Sequence, residues 1–356
     1  MSIRYAVVGA GWISQIAFMP GTAQAENSRL TAIVTGNTDT ASKLASFYGI
    51  EHIYSYDQYD QMLADDVVDA VYVALPNGLH AEYAIRAAKA GKHVLVEKPL
   101  AVSVEECRAM IAAAEEAGVY LATAYRLHNE PGNLHALKLI RDGAIGDPRI
   151  FSSMFSFIAD TGNHRLKAAN WGGPLQDIGI YCLNAVRHVF EDEPLSVSAI
   201  KNQVDDPRFG EVEETFAATL LFPEGRLAQF TASFGAADLD VFRVAGTEGE
   251  LMVERAYDFQ SPTTVRHFRA GEVVEHYFPQ TDHFAGQTDY FSQCILSGTP
   301  PEPDGYEGLA DVTTLVALER VAQTGRIEAI SLPPRDRRPG ASMRRTYPTT
   351  SHRLMV

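Results

Sequence analysis

Three side chains in this sequence are of types that move a proton or steady a developing charge, and their settings set them apart from ordinary surface residues. The first is Lys98, in Val94-Leu95-Val96-Glu97-Lys98-Pro99-Leu100. An aliphatic, β-branched run reads as a buried strand. Here it stops at a carboxylate, an ammonium and a proline, and the proline fixes the backbone and starts a turn. Charges so placed fit a strand end facing a cleft, where doubly wound sheets hold their ligands; a solvated loop is the plainer alternative. The other two are Asp177 and Tyr181, in Pro174-Leu175-Gln176-Asp177-Ile178-Gly179-Ile180-Tyr181-Cys182-Leu183-Asn184. Apolar residues at 175, 178, 182 and 186 behind a proline predict a helix. Four residues apart, Asp177 and Tyr181 share one of its faces. A carboxylate on an otherwise apolar face is costly unless paired, so a bond to Tyr181 or a nearby capping role would be the structural account.

The elements that must position Lys98 come first in the chain. A strand through Val8 runs into Gly9-Ala10-Gly11-Trp12-Ile13-Ser14. This is one small residue away from the dinucleotide fingerprint: Gly9 for the tight turn, Gly11 for close backbone approach to a pyrophosphate, then a helix start offering unpaired N–H groups. The next strand, Leu30 to Val34, ends in Thr35-Gly36-Asn37, with Lys43 a helical turn or so beyond. An NAD enzyme would usually carry Asp or Glu at that strand end for the ribose 2′-hydroxyl. Hydroxyl, amide and lysine donors suit a 2′-phosphate instead, which points to NADP, with NAD possible. A third strand, Ala70 to Leu75, leads into Pro76-Asn77-Gly78-Leu79-His80 and a helix closed by Gly91. Then come the strand ending at Lys98, a helix over 103–117 and a strand over 120–124. Strands alternating with helices predict a parallel doubly wound sheet over 1–124.

The glycine turn, Leu75-Pro76-Asn77 with His80, and Glu97-Lys98-Pro99-Leu100, occurring in that order and each at the end of its own strand, resemble the Gfo/Idh/MocA oxidoreductases. Gly-Gly-Pro-Leu-Gln-Asp-Ile-Gly-Ile-Tyr-Cys-Leu-Asn and Tyr-Arg-Leu-His-Asn-Glu-Pro are most similar to the glucose–fructose oxidoreductase branch; many other members of the family carry histidine in place of Tyr181, so the tyrosine narrows the subgroup. The resemblance implies that Lys98, Asp177 and Tyr181 are catalytic. It further implies that Gly9, Gly11, Trp12, Ile13, Thr35, Gly36, Asn37, Lys43, Leu75, Pro76, Asn77, His80, Glu97 and Lys98 meet the dinucleotide. Arg126 and Arg165 are expected at the cofactor, and His128 and Asn170 at the substrate beside Lys98, Asp177 and Tyr181. The expected reaction moves a hydride between nicotinamide and a pyranose, aldose or related polyol. Free tyrosine titrates near pH ~10, so Tyr181 would need a nearby ammonium to accept a proton at neutrality; Lys98 could supply that ammonium or carry the proton itself. A dehydrogenase of a dihydrodiol or other cyclic alcohol, and a dinucleotide-binding regulator, are the alternatives.

Beyond residue 195 the pattern turns β-rich, with alternating segments near 195–203, 213–222, 226–234, 241–246, 249–254, 263–270 and 273–278 and helices near 284–297 and 306–323. This predicts an α+β second domain, 125–330, built on a large, mostly antiparallel open sheet. In the family such a face commonly packs on a second subunit, which implies a homodimer or homotetramer. Residues 331–356, with Arg335, Arg337, Arg338, Arg344, Arg345 and Arg353 and no apolar period, predict a basic tail or an arm laid over a neighbour.

A length of 356 residues fits two domains, and a net charge of −15 argues against nucleic acid or an anionic membrane as main partner. Cys107, Cys182 and Cys294 are scattered and odd in number, which reads as buried thiols in a reducing compartment, with no metal site expected. The first strand begins near Ile3 and no apolar run reaches about 18 residues, so the expectation is a cytoplasmic chain. With no arm ahead of that strand, its NADP is expected to exchange with the pool.

Overall fold

The sheet that carries the glycine turn is parallel because each strand is followed by a helix that returns the chain to the same edge. The computed structural model describes residues 2–356. In chain order the first segment contains β1 (Ile3–Val8), α1 (Met19–Gln24), β2 (Ser28–Val34), α2 (Thr38–Tyr48), β3 (His52–Tyr54), α3 (Tyr59–Ala64), β4 (Ala70–Val73), α4 (His80–Lys89), β5 (His93–Val96), α5 (Val104–Ala117) and β6 (Leu121–Thr123). The six strands pair in the order β3-β2-β1-β4-β5-β6. The direction of winding reverses between β1 and β4, and at such a switch point the connections diverge and leave a crevice outside the carboxyl ends. β4 is buried throughout and β1 almost so, which explains their continuous apolar runs.

The second segment holds α6 (Pro131–Arg141), β7 (Pro148–Ser156), α7 (Ile180–Phe190), β8 (Ser196–Lys201), β9 (Thr215–Leu221), β10 (Leu227–Ser233), β11 (Leu239–Gly246), β12 (Glu250–Glu254), β13 (Thr263–Arg269) and β14 (Glu272–Phe278). The chain closes with α8 (His283–Ser297), α9 (Gly305–Thr324), β15 (Glu328–Ala329) and the tail. Nine strands pair in the order β14-β13-β12-β11-β7-β10-β9-β8-β15. Only β7 and β10 run parallel; every other pair is antiparallel, as the β-rich pattern predicts. Alternation along β9 and β10 sends Phe216, Leu220, Ala228 and Phe230 inward and leaves Leu221 and Leu227 exposed. α7 packs on β7 and β10.

The chain divides into two compact units that do not follow the sequence boundaries at 124 and 330. The first comprises everything through Glu130 together with 281–309 and 343–356; the second comprises 131–280 and 310–342. Residues 281–309 join the first unit because α8 lies directly on α1: a Cβ at Gly21 would stand 2.6 Å from the Ala285 nitrogen. Ser292 of α8 also bonds the hydroxyls of Tyr5 and Ser28, at 2.8 and 2.7 Å. The basic tail is likewise split. Its last residues lie on the first unit of their own chain, where Arg345 pairs with Asp289 and the Asp282 N–H donates to the Tyr347 carbonyl at 2.9 Å. No helix among the described residues is long and apolar enough to cross a membrane.

Candidate functional site

Gly9 is the hinge of the first unit's site. Its φ is +97°, and a Cβ there would lie 2.3 Å from the Ala74 carbonyl oxygen, so only glycine fits between β1 and the turn after β4. Ser14, which stands where the fingerprint has a third small residue, donates its hydroxyl to the Gly9 carbonyl at 2.6 Å and closes the turn. Gly11 faces open space: nothing lies within 4 Å of where its Cβ would be. A glycine turn left open at Gly11, at the switch point and ahead of a helix start, is what a pyrophosphate requires, so the residues present fit a dinucleotide. Trp12 is 47% exposed at the rim, and Ile13 is half-buried behind it.

The neighbouring strand ends complete the crevice. After β2, Thr35 is half-buried, Gly36 and Asn37 are exposed, and Asn37 caps α2 by accepting the Thr40 N–H at 3.0 Å. Lys43 projects from α2 into solvent. After β4 come Leu75, Pro76 and Asn77, followed by His80, which is fully buried. The His80 ring nitrogens lie 2.8 Å from the Leu75 carbonyl oxygen and 2.8 Å from that of Pro99. His80 thus ties the turn after β4 to the turn after β5, a positioning role in place of the cofactor contact that the sequence suggests. Burial lowers its pKa, with the two carbonyls opposing.

At the end of β5, Glu97 accepts the Tyr72 hydroxyl at 2.7 Å, and Tyr72 stacks on Phe18 with ring centroids 3.5 Å apart. Desolvation pushes the Glu97 carboxyl up; the Tyr72 bond and the charges of Lys98 and Arg126 pull it back. Lys98 follows, half-buried, ahead of a cis peptide to Pro99. Past β6, Arg126 donates to His283 Nδ1 at 3.0 Å. Burial, then the Arg126 charge, holds His283 well below the ordinary histidine range. His128, a substrate candidate from sequence, is only 3% exposed; its Nδ1 lies 2.6 Å from Glu302 Oε2 and its ring stacks on Tyr125. So enclosed, it is a buried hydrogen-bonding group with no exposed edge for a substrate.

In the second unit the candidates cluster where a folded-back loop meets the helix of Asp177. Gly173 donates to the Arg165 carbonyl at 2.9 Å and Gly172 to that of Lys167 at 3.1 Å, and a Cβ on Gly172 would strike the Arg165 oxygen at 2.2 Å. This fold brings Arg165 Nε to 2.8 Å from Asp177 Oδ2. Arg165, assigned to the cofactor by sequence, is therefore the ion-pair partner that the apolar helix face required. Asn170 spends its side-chain N–H on the His164 carbonyl at 3.1 Å, within the same loop. Leu175–Gly179 forms a π-helical turn before α7, so Asp177 and Tyr181 sit on different helical pitches. Tyr181 is half-buried, its ring 5.8 Å from that of Phe155 and 6.0 Å from that of Tyr257. Sequence reasoning missed Glu319, which accepts from Trp171 Nε1 at 3.0 Å and Gln176 Nε2 at 2.5 Å and anchors the loop. No local signal links residues so far apart.

Residues 3–125 match the oxidoreductase family with an NAD-binding Rossmann fold, and residues 133–252 match the GFO/IDH/MocA C-terminal domain. A D-xylose 1-dehydrogenase [NADP(+)] of Haloarcula marismortui is 31% identical over 90% of this chain and 91% of its own length. The chain belongs to the Gfo/Idh/MocA oxidoreductase family. Among solved structures, an aldose–aldose oxidoreductase from Caulobacter crescentus, complexed with glycerol, is similar with a TM-score of 0.89 and 38% identity, covering 93% of this chain and all (100%) of that one. A 3-ketoreductase from Actinomadura kijaniata, in complex with NADP and TDP-benzene, gives a TM-score of 0.82 at 29% identity over 90% of this chain and 98% of that one.

Proposed function

We propose that this protein is an NADP-dependent oxidoreductase that transfers a hydride between the nicotinamide and a pyranose, aldose or related polyol. The observation that carries the proposal is the ordered row of strand ends: the open Gly11 turn after β1, the Leu75 turn after β4 and Lys98 after β5, which are adjacent strands of one parallel sheet. The similarity to an aldose–aldose oxidoreductase and to an NADP-dependent xylose dehydrogenase supports the substrate class and the cofactor. Gly9 to Ile13, Thr35 to Asn37 with Lys43, and Leu75 to Asn77 would hold the dinucleotide, which when bound supplies the hydride acceptor or donor.

In the oxidising direction Tyr181 accepts the proton of the substrate hydroxyl, and in reduction it returns it. Lys98 holds the substrate oxygen through its ammonium. Asp177, oriented by Arg165, binds a neighbouring sugar hydroxyl. His80 keeps the Lys98 turn in register with the Leu75 turn, and Glu97 fixes the backbone before Lys98 through its bond to the Lys98 N–H at 3.3 Å.

Two further assignments belong to the same proposal. The exposed side chains Ile150, Met154, Leu227 and Leu239 form an apolar stripe on the nine-stranded sheet, and a second copy covering it would make the homodimer or homotetramer; light scattering tests this. The buried free thiols suit a reducing cytoplasm.

The test of function is initial-rate absorbance at 340 nm with aldoses and polyols, NADP and NAD being supplied in parallel. Turnover with a sugar and NADP is the expected result. Turnover only with dihydrodiols or other cyclic alcohols would move the substrate class. Dinucleotide binding without turnover of any of them would favour a regulator.

A further inference from the structure

The segment expected from sequence as a basic tail or an arm laid over a neighbour runs, within its own chain, to the helix that follows the glycine turn. Its path is pinned at several points within the first unit. Asn129 donates from its side chain to the Met343 carbonyl at 2.9 Å, and the Arg345 N–H donates to the Asn129 carbonyl at 3.1 Å. Arg345 pairs with Asp289, and the Tyr347 carbonyl accepts from Asp282. The His352 ring then stacks on Phe47, centroids 4.4 Å apart, and meets Tyr48 edge-on at 5.6 Å. Phe47 and Tyr48 end α2, the helix that Asn37 caps and that carries Lys43. Finally the Val356 N–H donates to Gln15 Oε1 at 2.8 Å.

Gln15 is the junction. It is 5% exposed, and its other amide atom, Nε2, donates to the Ala10 carbonyl at 2.7 Å. Ala10 lies between the two glycines of the turn, and Gln15 also donates its backbone N–H to the Gly11 carbonyl at 3.1 Å. One amide side chain therefore spans from the middle of the phosphate-facing turn to the end of the tail, with both ends engaged. The same tail braces α2 through His352. The glycine turn and the far end of the helix that carries Lys43 are thus tied to one strap, although a polar, aperiodic segment would ordinarily fray.

We propose that the C-terminal segment, acting through Gln15 and His352, is a positioning strap that sets how fast NADP(H) leaves the crevice. The proposal rests on the cofactor assignment made above. A dinucleotide that enters on the Gly11 side requires the turn to hold its shape while bound, and opening of that turn for release is resisted by the strap. Rates of dissociation respond to such restraints more than rates of encounter do. Gln15 makes no claim on the reacting atoms.

The experiment is stopped-flow displacement of NADPH by excess NADP+, followed by nicotinamide fluorescence. It compares the full chain, a chain ending after Thr350, Gln15→Leu and the double variant. The expected result is dissociation about ten-fold faster in the shortened chain and in Gln15→Leu, with no further acceleration in the double variant, because both changes cut one connection. Amide hydrogen exchange over residues 9–15 should rise in the same variants. His352→Ala, a single surface replacement that leaves the backbone path intact, should accelerate dissociation by a smaller factor. Unchanged dissociation in the shortened chain and in Gln15→Leu, in a full chain that binds NADPH, overturns the strap alone. A full chain that binds neither NADPH nor NADH overturns the cofactor assignment and the strap with it.

Discussion

Arg165 Nε lies 2.8 Å from Asp177 Oδ2, across a turn of chain that two consecutive glycines allow to fold back on itself. Both side chains keep part of their surface in water, 26% and 18%, so the pair is worth less than a fully buried one. Arg165→Met should therefore cost stability only about 1 kcal/mol, yet release the Asp177 carboxylate from its orientation. The expected signature is kcat/KM for the sugar lowered about ten-fold, close to 1.4 kcal/mol of transition-state binding, with dinucleotide affinity unchanged. Arg165→Lys keeps the charge without the planar fork and should recover only part of the loss. Steady-state kinetics on a responsive sugar decides it.

Lys98→Met and Tyr181→Phe separate the two proton carriers. Each should lower kcat by about 10²–10⁴-fold, the usual weight of a positioned acid or base, while NADPH titration still shows binding. Near-normal turnover in Tyr181→Phe beside a dead Lys98→Met would make the lysine the principal carrier.

His283 supplies a pH dependence of stability. Burial and the Arg126 charge hold its folded pKa well below the ordinary value, so below about pH 6.5 the unfolded chain binds a proton that the folded chain refuses. Stability from this group is complete above that pH and is lost as pH falls. Thermal midpoints measured from pH 7.5 to 5.5 should drop, and His283→Gln, which keeps an acceptor for Arg126, should show a shallower drop. Parallel curves for the two proteins would exclude the assignment.

The thiols offer a check on packing. Burial pushes both Cys107 and Cys182 up to about 12, and Cys294 is buried as well. A thiolate is the reactive species, so at pH 8 the native chain should resist a disulfide reagent for as long as it stays folded. In denaturant all three should react at once. A fast equivalent in the native state would mean that one of these sites opens.

How far these features could be read without tertiary structure differs by their range along the chain. The alternation of strand and helix, the turn at Gly9 and the placement of Lys98 at a strand end are written in local period and local turn chemistry, so the parallel sheet and its carboxyl-end crevice are legible directly. The same holds for the alternating strands after residue 195. What pairs with what was decided only in three dimensions. Asp177 advertises that it needs a partner, but nothing local says that Arg165, twelve positions away through an irregular loop, is that partner. Trp171 and Glu319 meet across 148 positions. His80 looks like a helix-start residue open to ligand, and only the approach of Pro99 beside Leu75 encloses it. The tail carries no period because its contacts are isolated hydrogen bonds, an ion pair and ring contacts spread over α2, α8 and the helix start after the first turn. An apolar period records burial of a continuous face, and a segment held by such separate contacts leaves no such record.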